Sequence, residues 1–151
     1  IASWTLETRG ALTLSAPQKR AIGDRIAGCD VCQEVCPFNR KALQAPNPQE
    51  GPASALDAST WTRLLQESPE DFKARARPTA LSRIKPAEWS RNLAITLRNT
   101  LLELAPSERT AWVRTHFDAV QRRAHSEGSE FARVEWRETL VVFEENRSKE
   151  N

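Results

Sequence analysis

The chain has 151 residues, of which 39% are hydrophobic and 28% are charged, and its formal net charge at neutral pH is +2. These values are typical of a single folded domain in water and exclude an intrinsically disordered chain. No apolar run approaches the roughly 18 residues that a membrane span requires, and no segment resembles a signal peptide. We therefore expect a cytoplasmic protein that makes no contact with a membrane.

The chain divides into three regions: a first part with glycines and all the cysteines (1–45), a connection (46–58) and a helical region (59–151). We expect loops and one or two turns of helix in the first part. The connection begins PNPQEGPAS, whose prolines and glycine predict irregular structure. Because the chain contains no methionine, we also expect it to be the C-terminal portion of a longer protein.

Start and stop signals divide residues 59–151 into successive helices. Ser59 or Thr60 is suited to cap a first, short helix. The run Ser68-Pro69-Glu70-Asp71 combines a cap, a proline in the first turn and acids near the positive end of a helix. Pro86 opens a longer helix, and the breaks at Pro106 and at residues 126–128 separate it from two more.

Apolar residues recur at helical spacing in these helices, which predicts one buried face for each. The predicted core residues are Trp61, Leu64, Leu65, Trp89, Leu93, Leu97, Leu101, Leu104, Val113, Phe117, Val120, Ala124, Phe131, Val134, Leu140, Val141 and Phe143. Helices that each bury one face are typical of stacked arrays, so we predict a mainly α fold with a HEAT-like array. For residues 139–145, TLVVFEE, a β-strand is an alternative.

The small net charge conceals a gradient along the chain. Residues 59–100 hold eight basic and four acidic side chains, whereas residues 101–151 hold eight basic and ten acidic ones. The excess of basic over acidic side chains is concentrated in residues 73–91, called the basic stretch. It has a single acid, Glu88, and the cations Lys73, Arg75, Arg77, Arg83, Lys85 and Arg91. Two interpretations are open: a solvated face of long cationic side chains, or a surface for a phosphate backbone.

The three cysteines of the chain, Cys29, Cys32 and Cys36, form the pattern C-x2-C-x3-C-P. Bacterial ferredoxins bind iron–sulfur clusters with C-x2-C-x2-C-x3-C-P, in which the last cysteine ligates the other cluster. Ile26 stands where that pattern has its first cysteine, so further ligands must come from elsewhere. A structural zinc site is the alternative, but it needs a fourth ligand, and His116 and His125 lie far along the chain.

The segment GDRIAGCDVCQEVCPFN, residues 23–39, resembles the second cysteine motif of the epoxyqueuosine reductase family, whose members finish queuosine in tRNA. The opening IASWTLETRG is similar to another family segment, with matches at Ile1, Thr5, Glu7 and Gly10. Residues 76–99 resemble a third segment, with matches at Arg91, Asn92, Ile95, Leu97 and Asn99. The chain departs from the family pattern at Ala76 and Pro78, which replace phenylalanine and glycine, and at Phe38, which replaces tryptophan.

The resemblance implies that residues 1–45 are the second half of a ferredoxin-like domain with two [4Fe-4S] clusters. In the family a cysteine immediately precedes the isoleucine that matches Ile1. By the resemblance, Cys29 and Cys32 join that cysteine and an upstream one on one cluster, and Cys36 ligates the other cluster. The resemblance also implies a cobalamin in an upstream domain, and Asp30 and Val31 are the candidate contacts to it. The family's catalytic acid lies outside this chain, so we expect no catalytic residue here.

The activity implied is reduction of epoxyqueuosine to queuosine in tRNA, with an external electron donor, by a monomeric parent enzyme; the chain alone is expected to be inactive. The candidate contacts to the tRNA anticodon stem-loop are Lys73, Arg75, Arg77, Arg83 and Lys85. Two other functions stay open. One is a general ferredoxin-like electron-transfer module fused to a helical scaffold, and the other is a protein-binding helical repeat with a vestigial metal loop.

Overall fold

The computed structural model describes residues 14–29, 31–39 and 57–148. Within these ranges the chain is helical and contains no strand. The α-helices are α1 (Ala16–Ile22), α2 (Val31–Glu34), α3 (Ala58–Gln66), α4 (Pro69–Ala76), α5 (Pro86–Glu103), α6 (Pro106–Ser126) and α7 (Glu130–Ser148), and Pro37–Asn39 and Ala80–Arg83 are 3-10 helices. The predicted mainly α fold is therefore confirmed for these residues, whereas the opening segment 1–10 and the connection 46–54 lie outside them. No helix in the described ranges is long and apolar enough to cross a membrane.

The helices begin where capping groups satisfy their first amide groups. At α4 the Ser68 hydroxyl accepts from the Asp71 amide at 3.1 Å and the Asp71 carboxylate accepts from the Ser68 amide at 3.3 Å, as predicted. At α5 Pro86 takes the first position and the Glu88 carboxylate accepts from the Lys85 amide at 2.9 Å. These arrangements compensate the unpaired amides of a helix start and place acids at its positive end.

The predicted cap of α3 is wrong. Asp57 caps this helix, and its carboxylate accepts from the Thr60 amide at 2.7 Å and from the Ser59 hydroxyl at 2.9 Å. The hydrogen bond from the Thr60 amide, with that from Ser59, holds the pKa of Asp57 below its ordinary value. Ser59 and Thr60 lie inside the first turn, so a residue just before them takes the cap position.

Residues 139–145 belong to α7, so the strand alternative is wrong. The buried face of this helix also differs from the predicted one, since Val134 and Val141 are about half exposed. The residues that are buried are Ala132, Glu135, Trp136, Thr139 and Phe143. The polar members of this face make hydrogen bonds to α5: the Trp136 indole donates to the Ser90 hydroxyl at 2.9 Å and the Thr139 hydroxyl to the Ala94 carbonyl at 2.9 Å.

The core forms around α7, which packs along both α5 and α6, while α5 and α6 contact each other little. On the outside, α3 packs against α6 and α4 against α5. The largest side chains of this core include Trp61, Phe72, Trp89, Leu93, Leu97, Val113, Trp136 and Phe143. A second, small apolar cluster of Leu14, Ile22 and Ile95 joins α1 to α5. The first part of the chain is thus attached to the helical core through α5.

Candidate functional site: the cysteine loop and its anchors

The cysteine loop, residues 28–39, turns sharply before its first thiol. Gly28 has a φ of 73°, in the left-handed region that suits glycine. Cys29 follows it, Cys32 lies in α2, and Cys36 directly precedes the 3-10 helix that begins at Pro37. The Cys36 amide donates to the Gln33 carbonyl at 3.2 Å, and the Asn39 side chain donates to the same carbonyl at 3.1 Å. The second half of the loop is therefore held by its own local hydrogen bonds.

The three thiols are suited by their chemistry to iron–sulfur ligation. All are free, Cys32 is exposed, and Cys29 and Cys36 are partly exposed. Thiolates are the ligands that such clusters use, and accessible thiols in a loop can be reached by iron and sulfide. Within the described ranges no group of three or more cysteine, histidine, aspartate or glutamate side chains is arranged to hold one metal ion.

A closed zinc site made with a histidine of this chain is disfavoured. His116 is buried, 1% exposed, and its ring lies edge-on to Trp112 with the ring centroids 4.8 Å apart. The His125 ring nitrogen Nδ1 lies 2.7 Å from the Gln121 carbonyl on the surface of α6. Neither histidine joins the thiols in a metal-binding group within the part of the chain that is described.

The cysteine loop also presents apolar side chains to solvent. Val31 is 39% exposed, Val35 73% and Phe38 94%. Val31, a candidate cobalamin contact, is therefore accessible, whereas Asp30, the other candidate, lies outside the described residues. The loop thus exposes three large apolar side chains within eight positions of the sequence.

Two asparagines of α5 hold the chain that leads into the loop. The Asn92 amide nitrogen donates to the Ile26 carbonyl at 2.8 Å, three residues before Cys29. The Asn99 amide nitrogen donates to the carbonyls of Lys19 and Gly23 at 2.9 and 3.0 Å. Both side chains are buried. They are among the residues that carry the resemblance to the family, and their bonds are to main-chain atoms of the first part.

A group of charges, buried except for Glu138, strengthens the same attachment. Lys19 of α1 pairs with Glu135 of α7 at 2.7 Å and with Glu138 at 2.9 Å. Arg98 of α5 pairs with the same two carboxylates, at 3.3 and 2.8 Å. Burial alone would raise the pKa of Glu138, but the hydrogen bonds and charges of Lys19 and Arg98 outweigh it and hold the pKa below its ordinary value. Three helices therefore meet in one charge network.

Arg91 belongs to this interior and not to the surface. It is 1% exposed, and its Nε and Nη2 donate to the Asn92 Oδ1 at 3.1 and 2.7 Å. Burial lowers its pKa, although Glu135 and Glu88 act in the opposite direction. The basic stretch thus loses one of its six cations as a surface charge.

The other cations of the basic stretch fall into two groups. Lys73, Arg77, Arg83 and Lys85 are exposed and make no ion pair with any described residue. Arg75 instead binds Glu67 through two hydrogen bonds of 2.6 and 2.9 Å, and its guanidinium lies 5.1 Å from the centre of the Trp89 ring. The hydrogen bonds to Glu67 raise the pKa of Arg75. Arg75 is therefore engaged within the protein, while the first four remain open to a polyanion.

Sequence reasoning missed the residues that anchor the loop: Lys19, Arg98, Glu135 and the roles of Asn92 and Asn99. One signal was present. Asn92 and Asn99 are seven residues apart, two turns of one helix, and therefore share a face with the apolar Ile95, which lies outside the predicted stripe of α5. A polar residue repeated on a buried face must find a partner, and that requirement predicts a hydrogen bond, although not with which carbonyl.

The sequence is similar to curated proteins named epoxyqueuosine reductase. The protein from Burkholderia pseudomallei is 37% identical over 97 residues, which are 64% of this chain and 23% of that protein. The protein from Pseudomonas aeruginosa is 35% identical over 127 residues, 79% of this chain and 35% of that protein. The protein from Escherichia coli is 34% identical over 95 residues, 63% of this chain and 24% of that protein.

No protein-family model and no solved structure matches the chain. The chain spans between 23% and 35% of the length of the three relatives described above. These three relatives carry one name and are 34 to 37% identical to the chain. The resemblance of this chain to the epoxyqueuosine reductase family is therefore confirmed, over about a quarter to a third of each relative's length.

Proposed function

We propose that this chain contributes cluster ligands and RNA-binding helices to an iron–sulfur, cobalamin-dependent reductase that converts epoxyqueuosine to queuosine in tRNA. The observation that carries the proposal is the C-x2-C-x3-C-P loop, whose thiols are free and accessible, in a chain similar to proteins named epoxyqueuosine reductase. The remaining ligands, and the domain for cobalamin, belong in this proposal to segments that correspond to the rest of the relatives' length.

The overall reaction defines what the chain must supply. Removing the epoxide oxygen as water leaves an alkene and consumes two electrons and two protons. Bound clusters would deliver the electrons one at a time from an external donor, and the bound cobalamin would supply the reaction centre. The residues of this chain then have two tasks: to hold clusters near the reaction centre and to hold the RNA.

For the first task the proposal assigns Cys29 and Cys32 to one [4Fe-4S] cluster and Cys36 to the other. Cys36 is held locally, through the hydrogen bonds to the Gln33 carbonyl. This support is separate from that of Cys29, which agrees with ligation of a different cluster. Asp30 and Val31 stand between two ligands in the sequence and are the proposed contacts to cobalamin. The exposure of Val31, Val35 and Phe38 supports a loop that is covered by another part of the enzyme.

For the second task the proposal assigns Lys73, Arg77, Arg83 and Lys85 to phosphates of the anticodon stem-loop. These four side chains are exposed and lie within thirteen positions of the sequence, in α4, just after it, in the 3-10 helix and just before α5. RNA helices are bound largely through phosphates and shape, which suits flexible cations on a helical surface. Arg75 is paired with Glu67, and in this proposal it stabilises the surface without binding phosphate. A HEAT-like array in a cytoplasmic, monomeric enzyme completes the proposal.

Anaerobic reconstitution of the whole protein with ferrous iron and sulfide tests the proposal. We expect the broad brown absorption of cubane clusters, and the loaded protein should convert epoxyqueuosine in tRNA when cobalamin and a reductant are present. Stoichiometric zinc with no iron would overturn it. Clusters that form without cobalamin binding or conversion would instead identify a general electron-transfer module.

A further inference from the structure

We propose that Asn92 and Asn99 are positioning residues for the cysteine loop, and that the helical core thereby sets where Cys29 stands. The inference rests on the proposed function in one respect, that the loop carries cluster ligands. It concerns a role of α5 that is separate from RNA binding and from the chemistry of the clusters.

The geometry of the hydrogen bonds supports a positioning role. All three acceptors are main-chain carbonyls, of Lys19, Gly23 and Ile26, so the bonds fix the path of the backbone and do not depend on the side chains there. Two asparagines seven residues apart on a helix are separated by about 10 Å along its axis. The chain from the end of α1 to the loop is therefore tied at two points to one rigid element.

The amide of Asn92 is oriented by its own neighbour. Its Oδ1 accepts from Arg91 Nε and Nη2, which leaves the Nδ2 to face the Ile26 carbonyl. Arg91 and Asn92 are both buried, at 1% and 0% exposure, so water does not compete for these bonds. A donor held in this way selects one position for the carbonyl three residues before Cys29.

The two halves of the cysteine loop therefore depend on different supports. Cys29 follows the tied segment directly after Gly28, whose φ of 73° lies in the left-handed region. Cys36 is supported locally by the Gln33 carbonyl, which accepts from the Cys36 amide and from Asn39. Loss of the Asn92 bond should loosen Cys29 and leave Cys36 as it is.

The test compares the metal-free reactivity of the two thiols. The variant Asn92→Asp keeps an acceptor for Arg91, removes the donor to Ile26 and sets a carboxylate oxygen against the Ile26 carbonyl. In the full chain without metal, alkylation by iodoacetamide is followed at each cysteine by mass spectrometry. We expect the alkylation rate of Cys29, divided by that of Cys36, to rise about fivefold. The loss of one hydrogen bond shifts an opening equilibrium by about this factor. General unfolding would accelerate both thiols together, so the ratio separates positioning from mere stability.

Asn146→Asp is the matched control, because the Asn146 amide donates at 2.7 Å to the Val142 carbonyl within α7 and makes the same type of bond away from the loop. It should leave the ratio of the two rates unchanged. Asn99→Ala is the second variant, for use if Asn92→Asp does not fold, and it should also raise the ratio. An unchanged ratio in a folded Asn92 or Asn99 variant would overturn the inference.

A second measurement separates this inference from the proposed function. In reconstituted protein, cluster loss to an iron chelator should be several-fold faster for Asn92→Asp than for Asn146→Asp. If the unchanged protein forms no cluster but the alkylation ratio still shifts, the proposed function fails and the positioning role stands. If clusters form but neither the alkylation ratio nor the rate of cluster loss changes in the variant, the positioning role fails and the proposed function stands.

Discussion

Glu135 is the residue at which charges of the first part of the chain and of the helical core meet. Its carboxylate receives Lys19 from α1 and Arg98 from α5 while being 5% exposed. A buried carboxylate between two cations is compensated only as long as all three groups are present. The residue thus joins three helices at one point.

Replacing Glu135 by glutamine should lower the free energy of unfolding by about 3 kcal/mol, because the two buried cations then keep only the more exposed Glu138 as a counter-charge. Urea unfolding followed by circular dichroism measures the change. Glu144→Gln, on the exposed side of the same helix, is the control and should change stability by less than about 0.5 kcal/mol. Equal effects of the two substitutions would contradict the role assigned to Glu135.

His116 makes the stability of the folded protein depend on pH, in a direction that its environment predicts. Burial lowers the pKa of His116 below its ordinary value of 6.5, and its Nε2 has no hydrogen-bond partner among the described residues. The unfolded chain therefore binds the proton more tightly than the folded chain. Stability from this residue is complete above pH 6.5 and is lost as the pH falls below that value.

The variant His116→Phe keeps a planar ring beside Trp112 and removes the titration. Its free energy of unfolding should fall less between about pH 7.5 and pH 5 than that of the unchanged protein. The exposed His125, replaced by glutamine, serves as the control and should retain the dependence. The assignment is wrong if His116→Phe shows the same loss of stability on acidification as the unchanged protein.

At the scale of the elements, α4 and the turn after it place cations of the same type in different environments. Arg75 is held by Glu67 and by the aromatic ring of Trp89, whereas Arg77, two residues later, is exposed. Charge alone does not distinguish them. Their environments predict different effects on RNA binding.

Replacing Lys73, Arg77, Arg83 and Lys85 by alanine should flatten the salt dependence of binding to an anticodon stem-loop, by about 0.7–0.9 in logarithmic slope for each phosphate that is no longer neutralised. The Arg75→Ala variant should leave the slope nearly unchanged and lower the stability. Fluorescence anisotropy at several salt concentrations measures the slope. A larger change of slope from Arg75→Ala than from Arg77→Ala would show that the pairing with Glu67 does not keep Arg75 from the RNA.

How much of these elements can be predicted from sequence depends on the range of the interactions. The start of α4 follows from four adjacent residues, since a serine, a proline and two acids act within one turn, and that prediction is confirmed. The face of α7 does not follow in this way. This helix packs on two others, so the polar Glu135 and Thr139 are inside and Val134 and Val141 outside, in each case because of partners far along the chain.

The candidate site shows the same division. The cysteine spacing and the resemblance to the family are local in the sequence and identify the loop. The bonds that hold it join Asn92 to Ile26 and Asn99 to Lys19, 66 and 80 residues apart. Arg75 likewise becomes engaged only through Glu67, eight residues away and before the start of α4. Such pairings depend on the packing of the helices and cannot be derived from a pattern of residue types.

At the scale of the whole molecule, α1 cannot be stable by itself. It has seven residues, fewer than an isolated helix needs in water. Its order comes from the Leu14–Ile22–Ile95 cluster, the two carbonyls bound by Asn99 and the pairing of Lys19 with α7. We therefore expect α1 to open together with the helical core.

Hydrogen–deuterium exchange read by mass spectrometry checks this expectation. Amides of α1 should be protected to a degree similar to those of α5, and Lys19→Met should speed exchange in α1 while α5 stays protected. Arg20→Met, at the exposed neighbour in the same helix, should have no such effect. Rapid exchange of α1 in the unchanged protein would show that the first part is attached only loosely.

The pairing of Lys19 with Glu138 spans 119 residues, and it has a consequence for how the protein is made. A ribosome adds about 5–20 residues per second, so the thiols leave the exit tunnel seconds before α7 exists to complete their support. During that interval the nascent chain carries three free thiols before the helical core is complete. The support that Lys19 of α1 receives from α7 is therefore complete only after the last helix has been translated, and termination before α7 would leave Lys19 without Glu135 and Glu138.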